Sequence, residues 1–546
     1  MEHEFNLIDE PWICVRTNDC QIKEVSLKEV FLNAHEYMGL SGETKSQDFA
    51  IFRLILAVMY TIFSRYDTEG EKIDLTEESP DYPVDVWEKI WNSGQIPAEP
   101  IERYFEEWHD RFWLFDEKYP FYQSNAVNGK GKIYSTAKMI GTLFESANKA
   151  RLFSARIEEG RVLSYAESAR WLLHCNCFDD IAAKNPTPKR TWVGKLGMMM
   201  LRGNNLFETI MLNYCADVDI TNDAFESKPS WEQDAPTTEF NRIIAVPENQ
   251  AELLSLRSRQ IYLYRENQTV TGYYISGGDY FEDDEVFQEQ MTLWRGYQEK
   301  KNSQTKFKPK LYDTSRKAWQ EFASIAVLAE VDKENDKAHQ YRKAGVLEWL
   351  CKLIGWNILD EDYFVRIDTS AVIYDYGQAT SLPVMDNVSD NLSFSAELLL
   401  ESGYEWKERI LEEIEKCDKI ANCVYHLYKN LQKANGRQDK DNKTSLSGET
   451  DAKVQFYSSI DRPFRLWLAE LKPEVHDMDL YTKELEKQLL KIALDFGREL
   501  ASQSGDNAIF GHYDKQNQFS SAKALNEFES IVRSILKWAG EKDEQK

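Results

Sequence analysis

The residue types that could catalyse a reaction or bind a metal are present, but their spacing suits neither task. His109-Asp110 is the dipeptide found in metal-dependent phosphohydrolases of the HD type. Such a metal site needs further His and Asp ligands on neighbouring helices, and one dipeptide does not specify them. A second group of metal-ligand types is too tightly spaced for a zinc ribbon and has no second cysteine pair after it; it consists of His174, Cys175 and Cys177. We interpret this second group as a buried helix end.

Acidic pairs and a lysine-containing loop are the other candidates for ligand chemistry. Asp179-Asp180 and residues 360–362 (DED) could bind a divalent cation, but exposed carboxylate pairs are the ordinary case in an acidic chain. Residues 128–132 (NGKGK) lack the spacing and the Ser or Thr of a phosphate-binding Walker loop. The sequence therefore predicts no metal, no cofactor and no enzymatic activity. An HD-type metal-dependent nuclease that uses His109 and Asp110 is the alternative.

Three basic segments interrupt the acidic chain. Its 546 residues include 92 Asp and Glu against 66 Lys and Arg, a formal net charge of −26. By contrast, residues 128–156, 181–203 and 295–317 carry net charges of +5, +5 and +6. Each contains Gly or Pro residues typical of loops, and flexible basic loops suit contact with phosphates. Solvated basic faces that balance nearby acids are the alternative. The overall charge argues against a protein that coats nucleic acid through a uniformly basic surface.

The elements that must position these loops belong to a large protein with real hydrophobic cores. The length favours two to four domains, and 42% apolar residues are ample for packing. The most apolar run, residues 49–63, contains Arg53 and is shorter than the ~20 residues that cross a bilayer, so we interpret it as a buried core helix. Eight scattered cysteines and an acidic N-terminus without a signal-peptide pattern predict a cytoplasmic protein with no membrane segment.

The last 150 residues or so change character, because apolar residues recur there at spacings of three and four. Four such stretches predict a C-terminal four-helix bundle. Residues 434–450 are predicted to be a loop, and Pro463 a helix start or kink. The predicted fold class is α+β and mainly helical, with an irregular N-terminal α/β domain with small sheets over residues 1–392 and the bundle over residues 393–546. The fourth predicted helix is marked by Leu525, Phe528, Ile531, Ile535 and Trp538.

Residues 5–13 (FNLIDEPWI) resemble the N-terminal signature of the CasA family, the large subunit of the type I-E CRISPR surveillance complex Cascade. The opening signature and residues 231–236 (WEQDAP) are the more specific matches, and the resemblance covers nearly the whole chain. Shorter matches occur in the same order at residues 53–57, 201–203, 211–213, 258–259 and 460–464.

The resemblance implies a non-catalytic subunit of an RNA-guided antiviral complex. Such a subunit recognises the motif that flanks the target in double-stranded DNA through the minor groove, opens the duplex to begin R-loop formation, and helps to recruit a helicase-nuclease. Its implied partners are the other Cascade subunits, the CRISPR guide RNA, the target DNA and that helicase-nuclease. A purely architectural subunit that binds guide RNA or sister subunits, and never target DNA, is the further alternative.

Two DNA-contacting groups can be placed on the sequence by the resemblance. Residues 376–379 (YGQA) resemble the family's wedge hairpin, which assigns the wedge to Gly377, Gln378 and Ala379, with Gln378 splitting the first base pair. The lysine finger falls in the third basic segment, where Lys300 and Lys301 match equally well.

Two further loops can be assigned in the same way. Residues 193–197 resemble the family's glycine loop but depart from its glycine-richer pattern, and this departure leaves the motif preference open. Residues 151–155 occupy the place of the loop that reaches into the complex near the guide's 5′ handle. The residues so assigned are Gly194, Lys195 and Gly197 for the glycine loop, and Phe153, Ser154 and Ala155 for the docking loop.

Overall fold

A computed structural model gives the fold of the chain. Two compact units make it up: unit 1 is Met1–Tyr312, Ala329–Ile358 and Arg366–Asn391, and unit 2 is Asp313–Leu328, Leu359–Val365 and Leu392–Lys546. The structure describes residues 3–140, 162–179, 190–221, 227–233, 239–282, 285–299, 304–313, 315–327, 330–332, 337–374, 384–436, 442–514 and 517–537.

Helices of very different lengths occur in the two units, and the longest belong to unit 2. In chain order they are α1 (Leu27–Leu32), α2 (Lys45–Phe63), α3 (Tyr82–Ser93), α4 (Ala98–Trp108), α5 (Tyr165–Phe178), α6 (Leu206–Asn213), α7 (Val218–Thr221), α8 (Gln250–Leu254), α9 (Phe322–Ile325), α10 (Gly345–Gly355), α11 (Tyr404–Ala434), α12 (Asn442–Glu470), α13 (Met478–Ser502), α14 (Asp506–Phe510) and α15 (Ser521–Ile535).

The strands are mostly short. In chain order they are β1 (Glu4–Asn6), β2 (Ile13–Thr17), β3 (Ile22–Val25), β4 (Tyr37–Leu40), β5 (Trp113–Phe115), β6 (Tyr134–Ser135), β7 (Met198–Leu201), β8 (Arg242–Ile243), β9 (Arg259–Glu266), β10 (Thr269–Gly277), β11 (Asp279–Tyr280), β12 (Trp294–Tyr297), β13 (Lys306–Pro309), β14 (Glu330–Asp332), β15 (Lys337–His339), β16 (Tyr341–Arg342), β17 (Phe364–Tyr374), β18 (Val384–Ser395), β19 (His512–Asp514) and β20 (Asn517–Phe519).

Small sheets, each of two or three strands, are formed by these segments within the described residues. Two of them matter for the site, since they carry the loops assigned from the sequence. The first has the order β13-β12-β16, and the second has the order β18-β17-β7. The other sheets have the orders β1-β5, β3-β2-β4, β6-β10-β9, β11-β8, β14-β15 and β19-β20.

Helix α2 forms the centre of unit 1. Thr44 caps its first turn by accepting a hydrogen bond from the backbone N–H of Gln47, and all residues from 46 to 63 are buried. The helix is long and apolar enough to cross a membrane by length and composition, but all of its apolar stretch is buried inside the protein. The predicted buried core helix is therefore confirmed, and it starts at Lys45, before the apolar run.

Unit 2 contains the predicted four-helix bundle. α11 packs on α12 and α15, and α13 packs on the same two helices, so the four long helices enclose one core. On α15 the buried stripe is Ala524, Phe528 and Val532, whereas Ile531 is 49% exposed. The predicted stripe was therefore centred one residue away from the observed one, and Trp538 lies outside the described residues.

The second bundle helix is longer than the sequence suggested. α12 begins at Asn442, so the second half of the predicted loop over residues 434–450 is helical instead. Pro463 lies inside α12 rather than at its start. Phe464 stacks on Trp319 at 4.3 Å between ring centroids, and the Trp319 indole donates to Asp461 at 2.8 Å.

Candidate nucleic-acid interface

Of the four groups assigned from the sequence, the structure describes the glycine loop. The strands that flank the wedge and the finger in the sequence are also described. The residues that lie outside the described ranges are Gly377, Gln378 and Ala379 of the wedge, Lys300 and Lys301 of the finger, and Phe153, Ser154 and Ala155 of the docking loop.

The predicted glycine loop, residues 193–197, lies in a tight turn over residues 191–197 that we call the glycine turn. A single 3-10 turn covers Val193–Lys195 and leads into β7. Before it, the Trp192 indole donates to Glu289 at 2.8 Å, and the same carboxylate accepts from Arg53 at 2.9 Å. The Arg53 and Glu289 side chains are 1% and 0% exposed. A buried ion pair on the central helix therefore fixes the start of the turn.

Gly194 lies where the chain has no room for a side chain. A Cβ atom at this position would lie 2.6 Å from Thr191 Oγ1 and 2.9 Å from the Tyr374 hydroxyl. Tyr374 is itself fixed, since its hydroxyl donates to the Phe178 carbonyl at 2.8 Å. It is also the last residue of β17, directly before the segment that contains Gln378. The glycine turn thus touches the base of the predicted wedge.

Gly197 makes the corresponding contact on the other side of the turn. A Cβ atom there would clash with the Lys310 carbonyl and would lie 3.1 Å from the Tyr312 ring. The Gly197 carbonyl accepts from Thr292 Oγ1 at 3.0 Å, which holds the backbone in place. Lys310 follows β13 directly, so this contact joins the glycine turn to the third basic segment.

Strands β12 and β13 form an antiparallel pair, and the predicted finger lies in the connection between them. The register pairs Arg295 with Lys308 and Tyr297 with Lys306. At the end of the pair that is next to the connection, Lys306 Nζ contacts Glu299 at 2.9 Å. Residues 298–305 connect the two strands in the sequence, and we call the strand pair with this connection the finger hairpin. Lys300 and Lys301 belong to that span.

Strands β17 and β18 are the longest in the described part of the chain, and the predicted wedge lies between them. β17 pairs with β7 in antiparallel register, from Ile367 opposite Leu201 to Ser370 opposite Met198. β18 lies on the other side of β17, and Thr369 Oγ1 donates to the Asp390 carbonyl at 3.1 Å. We call β17 and β18 the wedge strands. Residues 375–383 connect them.

The glycine turn therefore links two strand pairs that are far apart in the sequence. Through Gly194 it contacts Tyr374 at the end of β17, and through Gly197 it contacts Lys310 at the end of β13. Packing alone requires glycine at both positions, because each is enclosed by protein atoms. Contact of these two glycines with DNA stays a prediction, and Lys195, which is partly exposed, is the residue of the turn best placed to reach a ligand.

Cations next to the turn are held by aromatic and carboxylate groups that the sequence patterns did not reveal. The Arg190 guanidinium lies 5.8 Å from the Tyr374 ring centre and donates to the Gly194 carbonyl at 3.2 Å. Arg259 pairs with Asp179 at 2.7 Å, and both side chains are essentially inaccessible. The sequence suggested an exposed carboxylate at Asp179, but this side chain is buried. Only tertiary contacts, which leave no local pattern, identify these partners.

The candidate metal ligands do not come together. His109 Nε2 contacts Asp9 at 2.7 Å, whereas Asp110 is 94% exposed. Within the ranges that the structure covers, no group of three or more His, Cys, Asp and Glu side chains is arranged to hold a metal ion.

In the group at the end of α5, His174 and Cys175 are buried as predicted, while Cys177 is partly exposed. Burial lowers the pKa of His174 to about 3 and raises the pKa of Cys177 to about 12. The His174 ring Nε2 lies 3.0 Å from Ser46 Oγ, which in turn accepts from the Asn387 amide of β18 at 2.7 Å. These neutral groups hold one of the wedge strands on the central helix instead of binding a ligand.

The fold and the site together define a large, mainly helical α+β protein whose candidate site consists of strand pairs set on a buried glycine turn. The model of the family described as CRISPR-associated protein Cse1 matches residues 6–496. The chain therefore belongs to the CRISPR-associated Cse1 family, and the predicted family is confirmed.

Individual relatives agree with this assignment. The curated CRISPR-associated protein CasA/Cse1 of Thermus thermophilus is 31% identical over 219 residues, which are 38% of this chain. The aligned part is 39% of that relative's length. The crystal structure of Thermobifida fusca Cse1 has a TM-score of 0.79 and 25% identity, covering 98% of this chain and 99% of its own.

More distant structures share the fold. Thermus thermophilus CasA (Cse1) has a TM-score of 0.69 at 19% identity, with 98% of this chain and 100% of its own covered. A chain of a CRISPR RNA-guided surveillance complex has a TM-score of 0.59 at 14% identity, with 97% and 100% covered. The predicted fold class, α+β and mainly helical, is confirmed by these likenesses.

Proposed function

We propose that this chain is the non-catalytic large subunit of a type I-E Cascade complex, which recognises the motif flanking a target in double-stranded DNA. The observation that carries the proposal is the position of the glycine turn. It contacts the base of the finger hairpin and the end of β17, so motions of these two elements relative to each other are restricted. Two tips built on one rigid base can contact one short stretch of duplex.

The proposed division of work follows from the residue types. Lys300 or Lys301 contacts the phosphates or the groove edge, and Lys195 of the glycine turn adds a second cationic contact. Minor-groove contacts distinguish few base pairs, so such a reader accepts several flanking motifs. Gln378 then occupies the place of the first base pair, at a cost of a few kcal/mol that pairing of guide RNA with target offsets.

The partners that we propose are the remaining Cascade subunits, the guide RNA, the target duplex and a helicase-nuclease. A distant structural relative is itself described as part of a CRISPR RNA-guided surveillance complex. Phe153, Ser154 and Ala155 are the residues that we assign to docking near the 5′ handle of the guide. Such a complex acts in the cytoplasm, where the chromosome and the invading DNA are found.

Charge supports a subunit that acts only within an assembly. The net charge of −26 opposes adhesion of the free chain to DNA, while basic segments of +5, +5 and +6 carry the proposed contacts. We therefore propose that the free subunit binds duplex DNA weakly at physiological salt. Co-purification with a small guide RNA and sister subunits tests the assembly; isolation of the chain without RNA from a cell that expresses all components would contradict it.

Strand opening by the assembled complex tests the wedge. Gln378→Ala together with Gly377→Ala should slow R-loop formation by about tenfold or more, since the insertion that offsets the unstacking is lost. Gln488→Ala, on the exposed face of α13, is the matched control and should leave the rate unchanged. Normal assembly with unchanged R-loop kinetics in the double variant would reject the wedge assignment.

Salt dependence tests the finger. Lys300→Ala with Lys301→Ala should weaken target binding and reduce the slope of log affinity against log salt by about 2, if both lysines contact phosphates. Lys491→Ala with Lys537→Ala removes the same charge from exposed positions on unit 2 and serves as the control. An unaltered slope in the finger variant would reject contact with phosphates.

A further inference from the structure

A cleft on unit 1 lies outside the glycine turn and the hairpins and has no assigned role. Its volume is about 310 Å³, which falls at the lower end of the range of small-molecule sites, about 300–1,000 Å³. Its walls come from the segment after β5 and from the segment that contains the WEQDAP motif. The side chains that matter are Arg111, Lys118, Tyr119, Tyr122, Trp231 and Arg257.

The charge of the cleft is opposite to that of the chain. Its described lining includes three cations, Arg111, Lys118 and Arg257, and no Asp or Glu. In a protein of net charge −26 such a concentration of cations without carboxylates needs a reason. A concave surface of one sign concentrates counter-ions, so the cleft favours an anionic ligand.

Arg257 is the cation of the cleft to which we assign the anion. It is partly buried, and burial lowers the pKa of its guanidinium. Asp279 is the carboxylate that acts on it, but both oxygens of Asp279 are hydrogen-bonded to Arg242 at 2.8 Å. Within the described part of the chain no carboxylate forms an ion pair with Arg257. An anion in the cleft would supply the missing charge.

The lining of the cleft also contains aromatic side chains. The Arg111 guanidinium lies 3.6 Å from the centre of the Tyr119 ring, and Lys118 Nζ lies 4.6 Å from the same centre. Trp231 is buried, and its indole donates to the Tyr104 hydroxyl at 2.8 Å, which fixes its ring plane. Flat guanidinium and aromatic groups are the surfaces on which nucleobases stack.

The cleft is also rigid before any ligand arrives. Tyr122 has a φ of 54°, a left-handed conformation that a bulky residue adopts only where its surroundings enforce it. The next two residues are anchored to β9: Leu263 N–H donates to the Gln123 side chain at 2.9 Å, and Ser124 N–H donates to the Ile261 carbonyl at 2.8 Å. A preformed site loses little entropy on binding.

We propose that this cleft binds a phosphorylated nucleoside, with the phosphate at Arg257 and the base against the stack of Arg111 on Tyr119. The volume is too small for a folded partner segment, and the combination of three cations with a flat aromatic wall matches a phosphate joined to a planar base. A free nucleotide and the terminal nucleotide of a single strand share this chemistry. The site is independent of the wedge and the finger.

Titration of the full chain with adenosine 5′-monophosphate, followed by calorimetry at 50 mM salt, tests the proposal. Adenosine and inorganic phosphate, which each carry half of the ligand, should bind at least tenfold more weakly. A 5′-phosphorylated trinucleotide compared with the unphosphorylated one distinguishes a strand end from a free nucleotide as the source. If the monophosphate binds no more tightly than phosphate alone, or if an acidic peptide binds more tightly than it does, the proposal is overturned.

Variants connect the binding to the cleft. Arg257→Gln should weaken binding of the monophosphate by about tenfold or more, since a charged hydrogen bond is lost. Lys118→Gln, at an exposed position where folding is not at risk, should weaken it by a smaller factor. Arg16→Gln, on the exposed face of β2, removes the same charge elsewhere and should leave binding unchanged. Equal affinity in the Arg257 and Lys118 variants and the parent chain would contradict the assignment.

Discussion

The bundle of unit 2 and the strand pairs of unit 1 are stabilised in different ways. Each bundle helix buries a stripe of apolar residues, such as Leu485 and Leu489 on α13, and the polar residues face outward. The glycine turn of unit 1 rests instead on a buried ion pair, Arg53 with Glu289, next to a second one, Arg259 with Asp179. A bundle needs only a repeating pattern, whereas irregular loops need individual polar contacts that fix each backbone segment.

This difference has a functional consequence. Backbone groups in loops cannot satisfy one another as they do in a helix, so a buried loop has to be fixed by side chains. The described bases of the finger hairpin and the wedge strands are fixed in this way. The same contacts make unit 1 more sensitive to single substitutions than the bundle. The predictions below test that difference, starting with the largest expected effect.

Removal of the buried cation should have the largest effect. Arg53→Met should lower the free energy of unfolding of unit 1 by about 3–5 kcal/mol, since it leaves the Glu289 carboxylate buried without its countercharge. Urea unfolding monitored by hydrogen exchange of α2 peptides measures this loss. The double variant Arg53→Met with Glu289→Leu should recover much of it. A loss no greater than that of Lys487→Met, which removes an exposed bundle ion pair, would break the comparison.

A methyl group at the glycine turn should also lower the stability. Gly197→Ala should cost about 1–3 kcal/mol, because the new Cβ would clash with the Lys310 carbonyl and the Tyr312 ring. Gly355→Ala, at the last residue of α10, meets no atom within 4 Å and should be neutral or slightly stabilising. Thermal unfolding distinguishes the two. Equal melting temperatures for these variants would show that the turn is not tightly packed.

The bundle also contains a buried polar contact, and pH should reveal it. Glu413 is fully buried beside Lys416 at 2.7 Å, and burial raises its pKa from 4.5 to about 7. The folded state therefore holds a proton that the unfolded chain releases, so stability is highest below about pH 4.5 and falls as the pH rises to about 7. We expect a loss of about 3 kcal/mol over this range.

Hydrogen exchange of α11 peptides at pH 5 and pH 8 measures this dependence. Glu413→Gln should remove most of it, while Glu412→Gln, at the exposed neighbouring position, should leave it as in the parent chain. The opposite sign, with the bundle more stable at pH 8, would mean that the Lys416 charge dominates at this site.

The smallest effect is expected at the tip of the finger hairpin. Lys306→Ala removes a pair with Glu299 whose side chains are 41% and 58% exposed, so stability should change by less than about 1 kcal/mol. Lys419→Ala removes a comparable exposed pair with Glu415 on α11 and should have a similarly small effect. Thermal unfolding of both variants measures this. A loss several times larger at Lys306 would mean that the tip, too, is part of the rigid base.

The sequence predicted those parts of the molecule that follow from periodicity. The spacing of Phe456, Ile460 and Phe464 predicted α12, but its first turns looked like a loop because they are polar. The S-x-x-E spacing of residues 26–29 is typical of a capping box. Ser26 does accept from the Glu29 backbone N–H at 3.1 Å, while the Glu29 carboxylate contacts Lys23 instead. The local pattern indicates where the helix starts, whereas the contact with Lys23 determines the position of the Glu29 carboxylate.

The candidate site was less accessible from the sequence. Basic charge and the family resemblance indicated the segments with Lys195 and Lys300, but no pattern indicated that Tyr374 and Lys310 meet at the glycine turn. Such contacts join residues more than a hundred positions apart, and their signal is tertiary packing. For the Arg257 cleft the sequence contains only a weak signal, namely cations and aromatic residues near the WEQDAP motif.

The central claim is that the tips of the finger hairpin and the wedge strands contact the same target duplex. Photo-crosslinking of the assembled complex tests it most directly, with a photoreactive residue at Lys301 or at Gln378 in separate preparations and at Gln488 of α13 as the control. We predict crosslinks to the duplex from positions 301 and 378, within a few base pairs of the flanking motif, and none from position 488. Crosslinks from 301 and 378 only to guide RNA or sister subunits would contradict the claim.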